Sequence, residues 1–406
     1  MIEAVRTLAG EALYFDGRQA WSWLPREEIE EATLAQISNL TALPCVSHVA
    51  VMPDAHKGYG MPIGCVLATK KAVVPYAVGV DIGCGMVAVK TDIPVSSAPG
   101  EVIRAALEGI YKNVPVGQPN RTNRNSGSHT ERQDSVQLRR WSEDRMFPGA
   151  DGIREHADRQ LGTLGGGNHF IELQSDGTHV WLMLHTGSRS FGKKICDEYH
   201  KRALAWCERY YTPLPDKELA FLSLDTQDGR DYLIDMGFAM RFAEESRARI
   251  EGASLVAMLD VFGPFAVVQR IETHHNFAAI EKHMGKEMVV HRKGAVSTDG
   301  SPLVTIPGSM QTGSYIGRGL PNRLALNTCA HGAGRRLGRN AVRKENVGVD
   351  IKSEMEADGI ILVCPPESDA LDEAGRAYKD IENVMARQSD LVEPVVHLRP
   401  LGVVKG

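Results

Sequence analysis

The chain has 406 residues, of which 43% are hydrophobic and 24% charged, and its formal net charge is −5. This mix is typical of a soluble globular protein and excludes a chain-wide basic surface, so a nucleic acid would have to bind at a local patch. No apolar run approaches the roughly 20 residues that span a bilayer, and the N-terminus lacks a signal-peptide core. Seven cysteines without regular spacing argue against a disulfide framework. We therefore expect a cytoplasmic protein with reduced thiols and no membrane contact.

The first chemically notable stretch follows a short predicted strand at residues 48–52. It is a loop rich in glycine and proline that carries Asp54 and His56. Binding residues concentrate in loops that a rigid scaffold holds in place. A plain turn would explain the glycines and prolines but not the two polar side chains, so we expect a functional role for this pair.

Residues Gly79 to Met86 read Gly-Val-Asp-Ile-Gly-Cys-Gly-Met, and apolar runs on both sides predict a setting of buried strand. Glycines let the backbone turn sharply, so the carboxylate of Asp81 and the thiol of Cys84 could point at one place. Asp, Cys and His side chains bind divalent transition metals. The alternative is a tight turn with a buried free cysteine.

Three histidines lie in similar settings, at the ends of predicted strands. His169 precedes a strand that starts at Phe170, His185 follows a strand, and His275 follows another strand that runs over residues 265–272. A single histidine of this kind is more often structural than a metal ligand. Together with Asp81 and Cys84 they exceed one tetrahedral site and suit two ions that share the thiolate. Mixed O, N and S ligands favour Mn or Zn over Mg or Ca.

Other polar segments predict loops. Gln118–Arg145 contains six arginines and predicts a solvated, mobile loop, with an RNA-facing loop as the alternative. Thr186–Lys194 is close to a phosphate-binding P-loop, but a lysine replaces its last hydroxyl residue, so we expect a glycine-rich turn suited to an anion. His291–Ala295 predicts a basic turn, and Ile306–Ser314 predicts a nest of backbone N–H donors.

His331 differs from the other histidines, because two glycines and two arginines follow it directly. A neutral histidine beside an anion-binding loop can act as a nucleophile toward phosphorus. The alternatives are a further metal ligand or a core histidine. The chain has no Lys-x-Asp-Gly, the nucleophile motif of lysine-based ligases. A nucleotidyl-transfer enzyme would therefore need another nucleophile, and His331 is the best candidate.

Six motifs, in order, resemble those of the RtcB family of RNA-splicing ligases. They are the stretch around Asp81, Leu-Gly-Thr-Leu-Gly-Gly-Gly-Asn-His-Phe-Ile-Glu, His-Thr-Gly-Ser-Arg, His-His-Asn, Pro-Gly-Ser-Met and His-Gly-Ala-Gly-Arg. The resemblance runs from about Pro53 to the last residue. It implies a reaction in which GTP and two manganese ions join an RNA 3′-phosphate, or a 2′,3′-cyclic phosphate opened first, to a 5′-hydroxyl, in tRNA splicing or RNA repair.

The resemblance also implies roles for particular residues. His331 would attack GTP and carry GMP covalently. Cys84 would bridge both ions, with Asp81 and His169 completing one site and His185 and His275 the other. The residues that would hold the guanylate are Asn168, Glu172, Asn276, Pro307, Gly308, Ser309, Met310, Ser314, Gly332, Ala333, Gly334, Tyr378 and Lys405. Arg189 and Arg335 would bind RNA phosphates.

For the fold, we expect a mixed α/β (α+β) single domain over residues 1–406, with metal ligands at strand ends and helices outside. Strands and helices do not alternate as in a Rossmann fold or a TIM barrel. Two other functions remain open, a manganese-dependent phosphoesterase acting on RNA cyclic or terminal phosphates, and an RNA-binding module with a structural zinc. The biological RNA and the need for an activating accessory protein also remain open.

Overall fold

Nineteen β-strands and eight α-helices make up the regular structure of the computed structural model, which describes residues 2–7, 10–116, 157, 159–300, 302–366, 368 and 370–406. The strands are β1 (Ile2–Thr7), β2 (Gly10–Phe15), β3 (Arg18–Ser22), β4 (Val46–His56), β5 (Ile63–Thr69), β6 (Ala72–Val73), β7 (Gly85–Pro94), β8 (Phe170–Ser175), β9 (His179–Thr186), β10 (Leu222–Ser223), β11 (Val267–His274), β12 (Asn276–His283), β13 (Lys286–Lys293), β14 (Ala295–Ser297), β15 (Val304–Pro307), β16 (Ser314–Gly319), β17 (Thr328–Ala330), β18 (Ile361–Val363) and β19 (Val392–Lys405). The helices are α1 (Glu31–Thr41), α2 (Pro75–Val78), α3 (Gly100–Asn113), α4 (Arg189–Arg209), α5 (Gln227–Phe262), α6 (Arg339–Glu345), α7 (Ile351–Ala357) and α8 (Ile381–Arg387). The predicted loop Gln118–Arg145 lies outside the described residues.

Two large sheets organise these elements. One has seven strands in the order β1-β2-β3-β4-β5-β13-β12, and the other has eight, with β18 parallel to β19 beside the path β11-β7-β9-β8-β19-β16-β15. Neighbouring strands along both paths are antiparallel except β3 and β4. Because β11 of the second sheet leads into β12 of the first with His275 as the single residue between them, the chain crosses between the sheets at a predicted metal ligand.

Helices cover the outer faces of the sheets. In α3 the apolar residues Ile103, Ala106, Leu107 and Ile110 recur at helical spacing and are buried. They share a core with strand residues of the eight-stranded sheet, among them Ile171. Burying this face removes apolar surface from water and holds α3 against the sheet. No helix in the described part of the chain has the length and apolar character needed to cross a membrane.

The mixed α/β fold with ligands at strand ends is confirmed, whereas the single-domain division over residues 1–406 stays a prediction. Two local expectations are wrong. The apolar run before Asp81 ends in the short helix α2, because Pro75 at its first position favours a helix start. The predicted basic turn at His291–Ala295 is mainly strand β13, where the fully buried Arg292 forms an ion pair with Glu281.

Candidate active site

The loop between α2 and β7 presents Asp81 and Cys84 to the same space. Gly79 and Gly83 have φ angles of 92° and 71°, in the left-handed region that favours glycine. The Cys84 N–H donates to the Asp81 carbonyl at 3.1 Å, and the Gly83 N–H donates to the Asn276 carbonyl at 2.8 Å. The glycines therefore allow a tight turn, and its bond to β12 holds the carboxylate and the thiol in place.

Antiparallel pairing gathers the three predicted histidine ligands beside this loop. The first residue of β7 pairs with the last residue of β11 on one side and with the last residue of β9 on the other. The first residue of β8 pairs with His185, near the end of β9. Because each strand starts where its neighbours end, His169, His185 and His275 all reach the edge of the sheet at Cys84.

We call these five residues, Asp81, Cys84, His169, His185 and His275, the ligand cluster. The Cys84 Sγ lies 3.2 Å from Nε2 of His185 and 3.7 Å from Nε2 of His169. Nε2 of His185 is 3.3 Å from Nε2 of His275, and Nε2 of His169 is 3.1 Å from Oδ2 of Asp81. Two groups with ligand atoms within 4.8 Å of one another share Cys84, one with His185 and His275, the other with Asp81 and His169. The cluster has the composition and convergence of a metal-binding site.

Burial controls the protonation of the ligand cluster. It lowers the pKa of His185 and His275 well below the usual range, so both rings are neutral and have a lone pair for a cation. Burial, with the adjacent charge of Asp81, raises the pKa of the Cys84 thiol. Burial also acts to raise the pKa of Asp81, but the hydrogen bond with His169 brings it below its ordinary value. A bound cation would reverse the effect on Cys84, because a coordinating thiol loses its proton.

Arg247 of α5 lies directly behind the ligand cluster and is completely buried. Its guanidinium donates to the carbonyls of Gly83 at 2.8 Å and Thr186 at 3.1 Å, and it lies 2.9 Å from Nδ1 of His274. These three partners immediately neighbour Cys84, His185 and His275 along the chain. One side chain therefore ties together three ligand-bearing segments. Arg247 was not predicted from the sequence, because a single arginine in a long helix gives no local signal.

His331 follows β17 and stands against the ligand cluster, with its ring centroid 4.8 Å from that of His275. Its Nδ1 lies 2.6 Å from Oδ2 of Asp54 on β4, a carboxylate with no solvent exposure. A carboxylate that accepts from Nδ1–H holds the proton there and leaves a lone pair on Nε2. The sequence indicated a role for Asp54 through its neighbour His56 but did not predict His331 as its partner.

Close packing fixes this pair. Gly334 has a φ of 71°, and a Cβ there would run into the Asp54 carbonyl. A Cβ at Gly64 would lie 2.8 Å from Oδ1 of Asp54. Lys379 donates to the carbonyls on both sides of Asp54, at 2.6 Å to Ala55 and 3.3 Å to Pro53. Gly334 and Gly64 are thus needed to let the segment after His331 and the start of β5 approach Asp54 on β4.

A cavity of about 350 Å³ opens beside the ligand cluster and His331. Among the predicted site residues, those that line it are Asp81, Cys84, Asn168, Glu172, His185, His275, Asn276, Pro307, Gly308, Ser309, Met310, Ser314, His331, Gly332, Ala333, Gly334, Arg335, Tyr378 and Lys405. Lining residues to which the sequence gave no role are Tyr59, Ile63, Tyr76, Val80, Lys293, Gly294, Arg339 and Glu373. His169 and Arg189 are not among the residues that line the cavity.

The chain end is packed into the cavity wall. Lys405 is 3% exposed, pairs with Phe170 as the last residue of β19, and donates to the Gly167 carbonyl at 2.7 Å. Burial lowers its pKa, against the charges of Glu373 and Glu172, which raise it. The functional role of Lys405 stays a prediction.

The two predicted phosphate-binding arginines differ in their surroundings. Arg189 has a φ of 57° at the start of α4, and its guanidinium lies 3.1 Å from Nδ1 of His169. Arg335 lines the cavity and is held by Glu373 at 3.2 Å. Glu373 also accepts from the hydroxyl of Tyr378. Arg189 therefore contacts a histidine of the ligand cluster, and Arg335 lies at the cavity wall.

The loop 308–313 does not form the predicted nest of free N–H donors. The Gly308 N–H donates to the Gly313 carbonyl at 2.7 Å, and the Ser309 N–H donates to the Thr312 hydroxyl at 2.9 Å. The N–H groups of Gln311, Thr312 and Gly313 bond to Ser309. These donors are satisfied inside the loop, so the expectation is wrong for them, although the loop does line the cavity.

The sequence is similar to those of known proteins. The family model for the tRNA-splicing ligase RtcB matches residues 36–406, which extends the match toward the N-terminus from the expected Pro53. The RNA-splicing ligase RtcB of Escherichia coli K12 is 35% identical over 95% of this chain and 96% of that protein. The tRNA-splicing ligase RtcB of Methanococcus maripaludis is 30% identical over 94% of this chain and 92% of that protein. The RNA-splicing ligase RtcB of Mycobacterium tuberculosis is 30% identical over 91% of this chain and all of that protein. The chain therefore belongs to the RtcB family.

Proposed function

We propose that this protein is an RNA ligase that joins an RNA 3′-phosphate or 2′,3′-cyclic phosphate end to a 5′-hydroxyl end, in tRNA splicing or RNA repair. Family membership supports the reaction class, since the relatives are named RNA-splicing or tRNA-splicing ligases. The observation that carries the proposal is His331, whose Nδ1 contacts a buried carboxylate at 2.6 Å, in a cavity beside the ligand cluster. This arrangement supports His331 as a nucleophile toward a phosphate bound in the cavity.

The ligand cluster would hold two manganese ions, with Asp81, Cys84 and His169 around one and Cys84, His185 and His275 around the other. The donor set fits, because a carboxylate, a thiol and an imidazole converge within 4.8 Å in one group, and a thiol and two imidazoles do so in the other. Nδ1 of His275 has no hydrogen-bond partner in the described part of the chain, while its Nε2 faces that of His185. When bound, such ions neutralise phosphate charge and polarise phosphoryl oxygens.

His331 would begin the reaction on GTP. Asp54 holds the proton on Nδ1, so the Nε2 lone pair attacks the α-phosphorus. An N–P bond forms, the bond between the α-phosphorus and the bridging oxygen breaks, and pyrophosphate leaves. His331 then carries GMP as a phosphoramidate.

Two further steps would complete ligation. An oxygen of the RNA 3′-phosphate attacks the phosphorus of the guanylate, the N–P bond breaks, and the RNA end carries GMP through a pyrophosphate bond. The 5′-hydroxyl then attacks the RNA phosphorus, and GMP leaves with the former bridging oxygen as the phosphodiester forms. A 2′,3′-cyclic phosphate would first be opened by water. Arg189 and Arg335 would bind RNA phosphates, since guanidinium groups suit phosphate oxygens.

The residues proposed to hold the guanylate all line the cavity: Asn168, Glu172, Asn276, Pro307, Gly308, Ser309, Met310, Ser314, Gly332, Ala333, Gly334, Tyr378 and Lys405. Asn276 also has a structural role, because its amide donates to the Asp81 carbonyl at 3.0 Å and accepts from the Gly294 N–H at 2.8 Å. Substituting Asn276 is therefore expected to disturb the ligand cluster as well as the nucleotide.

Hydrolysis of RNA phosphates alone is the less favoured function, because it would leave the His331–Asp54 pair without a use. The test is ligation by the purified chain with GTP and Mn²⁺. Its substrate is an RNA strand with a 2′,3′-cyclic phosphate end and a labelled partner strand with a 5′-hydroxyl. We expect a joined product that requires GTP, and none when the partner carries a 5′-phosphate. Conversion of the cyclic end to a 3′-phosphate without joining would favour the phosphoesterase. Joining by the chain alone would also show that no accessory protein is needed.

A further inference from the structure

We propose that Gln174 makes the cavity select guanine over adenine nucleotides, by fixing which atoms of Glu172 and Ser314 accept and which donate hydrogen bonds. The inference deepens the proposed function and rests on it, since it concerns the nucleotide that reacts with His331. Gln174 does not line the cavity and would act through two residues that do. It is therefore a positioning residue.

Gln174 connects two strands that are not neighbours in the sheet. It lies on β8, two residues after Glu172, so both side chains project from the same face of that strand. Ser314 starts β16, and β19 lies between β8 and β16. The Gln174 amide nitrogen donates to Oε2 of Glu172 at 2.5 Å and to Oγ of Ser314 at 3.0 Å. Gln174 has no solvent exposure, so this arrangement is shielded from water.

The first of these bonds makes Glu172 an acceptor. Its carboxyl is 2% exposed, and Gln174 is its hydrogen-bond donor among the described residues. An ionised carboxylate only accepts hydrogen bonds, whereas a protonated one also donates. Because the amide nitrogen has no acceptor capacity, its contact stabilises the ionised form. In this ionised form Glu172 presents acceptor oxygens to the cavity.

The second bond makes Ser314 a donor. A hydroxyl has one hydrogen to donate and lone pairs that accept. Since Oγ of Ser314 accepts from Gln174, its own hydrogen is left to donate elsewhere, and Ser314 lines the cavity. Gln174 thereby sets an acceptor at Glu172 and a donor at Ser314 with a single amide group.

This pattern complements guanine and not adenine. The Watson–Crick edge of guanine offers two N–H donors, N1–H and the 2-amino group, beside the O6 acceptor. Adenine offers one amino donor beside a bare N1, so its lone pair would face the carboxylate of Glu172. A site built to hydrogen-bond one group strongly rejects an analogue that lacks it, because its buried polar groups are then unpaired.

Loss of Gln174 should shift this selection. Burial raises the pKa of Glu172 to about 7, while the Gln174 hydrogen bond and the charge of Lys405 act to lower it. Without the amide donor, more of Glu172 is protonated at neutral pH. A protonated carboxyl pairs its O–H with adenine N1 and its carbonyl oxygen with the adenine amino group, so discrimination against ATP falls.

The test compares covalent labelling of the full chain by α-labelled GTP, ITP and ATP, with Mn²⁺ and under single-turnover conditions. Gln174→Met removes both donors at similar volume, and Gln174→Asn keeps an amide that is one methylene too short. ITP lacks the 2-amino group of GTP and therefore reports on the contact to that group. Thr91→Val is the matched control, because it removes another buried hydrogen bond of the same sheet, 2.7 Å from the Thr91 hydroxyl to the Val180 carbonyl.

We expect the wild type and Thr91→Val to prefer GTP over both ITP and ATP. In the two Gln174 variants the GTP rate should fall roughly tenfold or more, the ITP rate should fall less, and the ATP rate should stay or rise. An unchanged GTP-to-ATP ratio in a folded variant would overturn the proposal, and so would an equal loss for all three nucleotides. Melting temperatures verify folding, and if the Met variant does not fold, the Asn variant decides. A wild type that takes no label from any nucleotide would instead sink the proposed function.

Discussion

Replacing Asp54 with Asn should impair guanylate transfer to His331 more than replacing it with Ala. Asp54 is fully buried, and its Oδ2 accepts from Nδ1 of His331 at 2.6 Å. Its Oδ1 has no hydrogen-bond partner in the described residues. An amide nitrogen at the Oδ1 position would bury unpaired N–H groups, so the amide of Asn should turn its nitrogen toward His331. It would then donate to Nδ1 and force the proton onto Nε2, the atom that must attack.

The sizes of the two effects differ. Asp54→Ala removes one hydrogen bond to a charged group, a loss of about 1.5–3 kcal/mol. At about 1.4 kcal/mol per factor of ten, this is a roughly 10- to 150-fold slower transfer. Asp54→Asn inverts the tautomer, and the equivalent change in a Ser-His-Asp triad costs about 10⁴-fold. That corresponds to about 5.5 kcal/mol in the barrier.

The assay is single-turnover labelling of the chain with α-labelled GTP at saturating nucleotide and Mn²⁺, with metal content measured for each variant. Circular dichroism serves as the folding control for both substitutions. An Asn variant that transfers guanylate as fast as the wild type, or faster than the Ala variant, would refute the tautomer argument.

Three further predictions concern stability and binding. Arg247→Met should lower the free energy of unfolding by about 3–5 kcal/mol, because the carbonyls around the ligand cluster lose their shared donor. For the same reason it should weaken Mn²⁺ binding, measured by calorimetry. Arg247→Lys should have intermediate effects on both. Lys405→Met should leave the melting temperature nearly unchanged but raise the GTP concentration needed for labelling, because an apolar isostere fills the buried space without the ammonium. Burial raises the pKa of Glu172 from 4.5 to about 7, so unfolding releases a proton between these values and stability falls as pH rises. Glu172→Gln removes the cost of burying this ionised carboxylate. It should therefore raise the free energy of unfolding by about 3 kcal/mol at pH 8 and leave it unchanged at pH 4, as measured by urea unfolding at both pH values.

The ligand cluster was predictable because its signals are local. Gly83 and its neighbours permit the turn that joins Asp81 to Cys84, and each histidine stands at the end of an apolar run. A side chain at a strand end reaches the edge of the sheet. The sequence pattern therefore indicated that these side chains converge, even though it did not predict the order of the strands.

The order of the strands and the partners of the site residues could not be predicted, because they leave no local signal in the sequence. Asp54 and His331 are 277 residues apart in sequence and meet only because β4 and β17 pack together. Arg247 sits on a helix, and its four partners come from three separate segments. Such contacts depend on tertiary packing, which leaves no periodic trace in the chain.

The errors have the same origin. The cluster of charges at residues 291–293 resembles a solvated turn, but Arg292 is buried against Glu281 and Lys293 against the carbonyls of Tyr59 and Tyr76. The glycine-rich loop 308–313 resembles a free anion nest, yet its N–H groups bond to its own hydroxyls and carbonyls. Composition shows which groups are present and not which partners they find.

The central claim is that His331 carries guanylate covalently. The most direct measurement incubates the wild type and His331→Ala with α-labelled GTP and Mn²⁺ and then reads retained label on a denaturing gel. We expect label on the wild type that acid removes, as is typical of a phosphoramidate, and none on the variant. A wild type with manganese confirmed in its site that takes no label would contradict guanylate transfer to His331, and so would equal labelling of His331→Ala.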